Sequence, residues 1–266
     1  MKKNPEFFSR TKLLIGRAGL EKMTKARIAV IGLGGVGSYT VEALARVGVG
    51  YLRLVDHDRY VQSNLNRQLH ALVETVGRLK SEVVSDRVTR INPEAVVDSR
   101  TEFLRTENME SIITEDLDYV IDAIDTVSSK VLLIEHCLKK KINIVTCMGA
   151  GNRLDPFAFR LSDLSKTHTC PLARAVRGQL RKKGIEKGVD TLFSVAPPVP
   201  CFHAYSHECG EKNSAPPGSI SFVPSVAGLL LAGFVVNRLL ESEGMEEKRS
   251  WGQAIKTEGD GGWTDE

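Results

Sequence analysis

Apolar residues along this chain follow two alternating rhythms. Short continuous runs, Arg27–Ile31, Tyr51–Val55, Tyr119–Asp125 and Ile142–Cys147, have the β-rich character of strands buried on both faces of a parallel sheet. Between them apolar positions recur at helical spacing. A helix is predicted over 38–47, with Val41, Leu44 and Ala45 on one face. A second runs from Lys80 to about Arg90 and stops at Ile91-Asn-Pro93, where proline holds the preceding residue extended. A third spans 128–140. Ala95–Thr101 reads as a further strand and 108–114 as a short helix. This alternation of strand and helix predicts an α/β fold built on a doubly wound, mostly parallel sheet.

The flanks are less regular. Residues 5–25 read as a helical arm whose apolar positions are Phe7, Phe8, Leu13, Leu14, Ile15 and Leu20. Beyond residue 152 the rhythm weakens. Phe157–Leu161 is a candidate strand, and Ala196–Pro200 and Ser214–Gly218 are proline-rich loops. Residues 241–266 are acidic and aperiodic, as expected of a mobile tail. The organisation expected is one domain over 1–240, with a core at 26–150 and a ligand-facing part at 151–240. Residues 220–240 approach bilayer length, but Pro224 and two serines interrupt the start and Asn237-Arg238 the end. They read as a buried helix with Ser225 near its N-cap and with Gly228 and Ala232 allowing close packing, not as a membrane span.

Composition changes this picture little. The 266 residues are 42% hydrophobic and 26% charged, with a formal net charge of +3, ordinary values for a soluble globular chain. Five cysteines form no CxxC pair, and Met-Lys-Lys-Asn-Pro-Glu leads into no apolar run, so a reducing, cytoplasmic setting is expected. Cys170, Cys201 and Cys209 with His203 and His207 invite a zinc reading, but Cys201-x-His203 and His207-x-Cys209 fit structural zinc spacings poorly.

The distribution of chemistry is more telling. Gly32-x-Gly34-x-x-Gly37 follows a strand, opens a helix, and is answered by Asp56 at the end of the next strand. That is the dinucleotide fingerprint in its confirming context. Its glycines let backbone N–H groups approach a phosphate at the helix N-terminus, and Asp56 can accept ribose hydroxyls. The fingerprint does not say which nucleotide. Asn64, Asn66, Arg67 and Gln68 lie just past it, where a dehydrogenase has no use for them, and Lys80 opens the next helix. A guanidinium and an ammonium there suit a reaction that expels pyrophosphate. Of Asp122 and Asp125, one faces the site; Asp125, followed by Thr126, is the better magnesium candidate, and Asp122 reads as structural. Residues 166–187 hold seven cations, Lys166, Arg174, Arg177, Arg181, Lys182, Lys183 and Lys187, against one acid, Glu186. This is a candidate surface for nucleic acid or another phosphate-rich ligand.

These residues resemble the superfamily of ThiF, MoeB and HesA, adenylating enzymes related to ubiquitin-activating enzymes. The resemblance rests on Gly32–Gly37, Asp56-x-Asp58, Ser63-Asn-Leu-Asn-Arg-Gln68, Val76-Gly-Arg-Leu-Lys80, Arg90-Ile-Asn-Pro93 and Asp122-Ala-Ile-Asp-Thr126. It implies a Rossmann-like core and an ATP site. Gly35 would lie at the phosphates, Asp56 on the ribose, Asn64, Arg67 and Lys80 on the triphosphate, and Asp125 near magnesium and the α-phosphate. Asn66-Arg-Gln-Leu-His-Ala71, Gly149-Ala-Gly151, Asp163-Leu-Ser-Lys-Thr167, Pro171-Leu-Ala173 and Gly188–Ser194 carry the likeness towards the superfamily's tRNA-modifying branch. That branch uses ATP to cyclise threonylcarbamoyladenosine at tRNA position 37, without an enzyme cysteine. The resemblance also implies a homodimer, an arm cation (Arg10, Lys12 or Arg17) crossing to the partner's ATP, and a connection to a cysteine desulfurase and sulfur-acceptor system. Three other readings stay open: an adenylyltransferase for the C-terminal glycine of a sulfur-carrier protein, an NAD-dependent oxidoreductase, and a non-catalytic tRNA-binding protein.

Overall fold

The structure is a computed structural model that describes residues 6–200 and 217–241. Seven strands form one sheet in the order β3-β2-β1-β4-β5-β7-β6. They are β1 Arg27–Ile31, β2 Tyr51–Val55, β3 Val96–Arg100, β4 Tyr119–Asp122, β5 Ile144–Cys147, β6 Phe159–Asp163 and β7 Asp190–Ser194. Every pairing is parallel except β6 with β7 at one edge. The helices are α1 Ser9–Lys25, α2 Gly37–Val47, α3 Lys80–Ile91, α4 Met109–Ile112, α5 Val127–Lys140, α6 Pro171–Lys182 and α7 Phe222–Glu241.

Side-chain alternation along the strands makes two cores, one on each face. Ile28, Val30, Leu52, Leu54, Ile121 and Val145 pack with α2, α3 and α7. Ala29, Ile31, Val55 and Val120 pack on the other face with α4, α5 and α6. The doubly wound α/β architecture expected from the sequence is thus present. Val41, Leu44 and Ala45 of α2 are all buried.

The apolar 220–240 segment is helix α7, laid against α2. A side chain at Gly228 would collide with the Val36 carbonyl oxygen and the Tyr39 Cβ, and Thr40 Oγ1 donates to the Gly228 carbonyl at 3.0 Å. Two backbones can meet this closely only because position 228 has no Cβ. Although α7 is long and apolar enough to cross a membrane, Val223, Ala227, Leu231 and Val235 are fully buried in the core.

Several boundaries differ from expectation. Ser225 is not an N-cap: α7 begins at Phe222, and the Ser225 hydroxyl turns back to the Phe222 carbonyl. The arm is broken at Gly16, whose φ of 73° is not helical; Phe8 and Leu20 are buried, whereas Phe7, Leu13 and Leu14 are exposed. Strand β4 ends at Asp122, not Asp125, because the Asp122 carboxylate accepts the Ile124 N–H at 3.0 Å and turns the chain. Strand β7 carried no alternation strong enough to be expected. The candidate zinc residues Cys201, His203, His207 and Cys209, and the acidic tail beyond 241, lie outside the described residues.

Candidate nucleotide and substrate site

Parallel register decides what meets at the open end of the sheet. Ile31 pairs with Val55 and with Asp122, and Asp122 pairs with Thr146. The residues that follow these positions therefore emerge side by side, about 4.8 Å apart per strand. They line a cavity of about 680 Å³ that runs from the β2 end past β1 and β4 to β5. This is the crevice beyond the strand C-termini where open α/β sheets bind ligands.

At the β2–β1 end, Asp56 is 8% exposed. One carboxylate oxygen accepts the Leu33 N–H at 2.7 Å, fixing the glycine turn, and the other accepts the Asp58 N–H at 2.8 Å. The four glycines have distinct roles. Gly32 has a φ of +91° and sits against the Ala123 carbonyl, while a side chain at Gly37 would strike the Gly32 carbonyl; both serve the turn itself, and Gly37 does not line the cavity. Gly35 packs under Pro224. Gly34 alone faces open space, its nearest neighbour being Gln68 Nε2 at 3.8 Å from an added Cβ. Glycine at 34 is not demanded by the protein's own packing.

Two cations overlook this turn. Lys80 is delivered to the wall by a tie between its backbone N–H and the Asp58 carbonyl. Its ammonium, almost fully buried, meets the Asp58 carboxylate at 2.8 Å. Arg67 donates to the Ser63 carbonyl at 2.7 Å and to Asn66 Oδ1 at 2.9 Å. Asn64 and Gln68 also line the cavity. Asn64 Oδ1 accepts the Val61 N–H, whereas Gln68 Oε1 is buried with no partner. Asn66 does not line the cavity: it ties its loop to Ser219 by donating to the Ser219 carbonyl and hydroxyl, both at 3.0 Å.

In the middle, Asp125 and Thr126 are exposed in the loop after β4, and the threonine hydroxyl donates to Asp125 at 3.3 Å. Asp122 points away, into a fully buried group. Lys130 Nζ reaches Asp122 at 2.8 Å and Thr146 Oγ1 at 2.9 Å, and the Thr146 hydroxyl donates to Asp122 at 2.6 Å. This triad anchors the Asp125 loop from beneath. The far end is built by Cys147–Arg153 after β5, by the start of α6 and by Pro217–Ser219. Asn152, at a φ of 55°, binds Gly218 in both directions, N–H to carbonyl at 2.8 Å and Oδ1 from N–H at 2.6 Å. Among cysteines, the Cys137 and Cys147 thiols are both pushed up to about 12, chiefly by burial, which leaves them poor nucleophiles.

The basic candidates separate into two sets. Lys166, Arg174, Arg181 and Lys182 are exposed, the last three along α6. Arg177 instead turns inward to the Thr167 carbonyl at 2.7 Å and hydroxyl at 2.6 Å, and Lys183, though exposed as well, pairs with Glu135 at 2.7 Å. Arg153, Phe103, Leu104 and Ser129 line the cavity and were not anticipated. Arg153 follows the glycine-containing end of an apolar strand, a position that faces the crevice in any parallel sheet.

A model of the ThiF family matches residues 8–257. The chain is similar to the tRNA threonylcarbamoyladenosine dehydratase of Bacillus subtilis (strain 168), at 47% identity over 240 residues, 88% of this chain and 94% of that protein. In three dimensions it resembles the Escherichia coli tRNA N6-threonylcarbamoyladenosine dehydratase TcdA solved in complex with ATP. The TM-score is 0.79 at 34% identity, over 88% of this chain and 94% of that one. The molybdopterin-synthase adenylyltransferase of Escherichia coli (strain K12) is 35% identical over 137 residues, 52% of this chain and 54% of that protein.

Proposed function

This chain belongs to the ThiF family, and from that premise we propose that it is an ATP-dependent tRNA threonylcarbamoyladenosine dehydratase. The observation that carries this reading is the extent of the likeness. It runs through the substrate half of the cavity to 88% of the chain for the dehydratase, and only to 52% for the sulfur-carrier type of adenylyltransferase.

In this reading ATP lies along the β2–β1 end. Phe103 and Leu104 offer an apolar wall beside Asp56, which takes the ribose. The open face of Gly34 admits the phosphates, with Lys80, Arg67, Asn64 and Gln68 around them. The fit is electrostatic as well as steric, because the cations sit where negative charge grows as pyrophosphate leaves. Asp125, exposed and one strand over, suits a magnesium ion shared with phosphate oxygens.

The threonyl carboxylate of the modified nucleotide attacks the α-phosphorus, and the bond to pyrophosphate breaks. The carbamoyl group then attacks the activated carbonyl carbon, releasing AMP and a proton and closing a ring. Nucleophile and electrophile belong to one substrate, so closure is effectively unimolecular, and no thiol is required of the protein. Arg174, Arg181, Lys182 and Lys166 are the cations on which tRNA would rest. The exposed Phe7, Leu13 and Leu14 support a homodimer joined through the arm. Arg17 is already engaged by Glu21 at 2.8 Å, which favours Arg10 or Lys12 as the crossing cation. The site of action would be the cytoplasm.

Incubation with ATP, magnesium and threonylcarbamoyl-modified tRNA, followed by nucleoside mass spectrometry, tests the proposal. Loss of one water with stoichiometric AMP is expected. An unchanged nucleoside together with pyrophosphate exchange driven by a sulfur-carrier protein would replace it with the adenylyltransferase reading.

A further inference from the structure

Arg153 is only 3% exposed, and its Nε and Nη1 atoms are buried with no hydrogen-bond partner. Nor does it form an ion pair with any carboxylate among the described residues. An unpaired buried guanidinium is costly, since burial removes water that nothing in the protein replaces. It nevertheless lines the same cavity as Asp125, on the β5 side of it and away from the glycine turn.

A second source of positive potential opens beside it. Helix α6 has twelve residues and starts at Pro171 with no side-chain cap; proline has no N–H and the Arg174 N–H goes to the Cys170 carbonyl at 3.1 Å, so the first turn offers a ligand the Leu172 and Ala173 N–H groups. Pro171 and Leu172 line the cavity. Gly149, four residues before Arg153, runs past the start of α6: a Cβ there would make ordinary contact, at 3.8 Å, with Cys170 Sγ and Leu172 Cβ.

We propose that Arg153, with the first turn of α6, is the subsite for the carboxylate that attacks ATP. The inference rests on the function proposed above and specifies how that substrate is held. A carboxylate approaching an already anionic α-phosphate is repelled, and a fixed guanidinium on the opposite side offsets the repulsion while leaving one oxygen directed at phosphorus. The nucleotide half cannot do this, because Lys80 is paired with Asp58 and Arg67 with its own loop. Arg153 moves no proton; its role is to bind and orient.

The test compares wild type, Arg153→Met and Arg153→Lys in the full chain. ATP affinity, turnover of modified tRNA and thermal midpoint are measured, together with binding of free threonylcarbamoyladenosine and of its methyl ester. Wild type is expected to prefer the carboxylate nucleoside over the ester, and Arg153→Met to lose that preference. Its kcat/KM should fall about ten- to hundredfold, with ATP affinity within twofold and partial rescue in Arg153→Lys. Without ligand, Arg153→Met should melt about a few degrees higher, because an uncompensated buried charge is gone; a merely structural arginine would lower the midpoint. If wild type is active and Arg153→Met keeps both turnover and carboxylate preference, the subsite assignment fails and the proposed function stands. If Arg153→Met weakens unmodified tRNA equally, the arginine contacts a backbone phosphate and the assignment also fails. Wild type that binds ATP but leaves the modified tRNA unchanged overturns the function, and the carboxylate assignment with it.

Discussion

The two ends of the cavity hold their positive charge in opposite ways. At the β2–β1 end each cation has a protein partner before any ligand arrives: Lys80 is held by Asp58 and Arg67 by Ser63 and Asn66. At the β5 end the Nε and Nη1 atoms of buried Arg153 have none. A paired cation costs the fold little and is prepositioned, so it suits phosphates whose charge increases during reaction. An unpaired one keeps its full attraction for an incoming anion, at a cost in stability. The Asp125 loop lies between them, supported by the buried Asp122, Lys130 and Thr146.

That contrast can be broken at graded strength. The largest effect is expected beneath the boundary. Lys130→Met leaves Asp122 buried without its counter-charge, and urea unfolding should report about 3–5 kcal/mol lost; a loss under about 1 kcal/mol would mean that the triad does not carry the loop. Next comes Lys80→Met at the paired end. Turnover should fall on the order of 10²–10³-fold, read as AMP release, while Asp58, half-exposed, stays solvated and the fold is kept. Near-normal turnover would remove Lys80 from the phosphate site.

Gly34→Ala sharpens the comparison further, since the protein has room for the methyl group and a phosphate does not. ATP affinity should fall about tenfold, with stability changed by less than about 0.5 kcal/mol; a large stability loss would make Gly34 a packing residue like Gly32. Arg181→Ala with Lys182→Ala should weaken tRNA binding severalfold, more so at low salt, and leave ATP affinity alone. Should Lys183→Ala, which instead removes one of the two lysine partners of Glu135, match it, the division of the basic face would be wrong. The smallest expected effect is none: with the Cys137 and Cys147 thiols raised to about 12, about one in ten thousand is ionised at pH 8. Peptide mapping after iodoacetamide should find both unmodified.

The proposed nucleotide end was legible in the sequence because it is local. Gly32–Gly37, Asp56, Ser63–Gln68 and Lys80 each carry their chemistry within a few residues, and strand-helix alternation places them at one sheet edge. Even so, the glycine pattern did not say that, of its four glycines, Gly34 alone has room for a side chain. Nor did the asparagines reveal that Asn66 ties two loops, or the run of cations that Arg177 turns inward and Lys183 is paired at the surface. Those distinctions depend on which atoms lie opposite.

By itself the sequence determined the doubly wound sheet, the apolar helix at α7 and the residues proposed to seat a nucleotide, because periodicity and short motifs encode local geometry and burial. Only the tertiary structure decided the β5 end of the cavity. Register aligned Asp122 with Thr146 and so fixed the Asp125 loop, and the closure of 149–153 on Gly218 left Arg153 buried beside the start of α6. Whether an arginine is solvated, paired or waiting for a ligand depends on partners distant in the chain, and no local pattern records them.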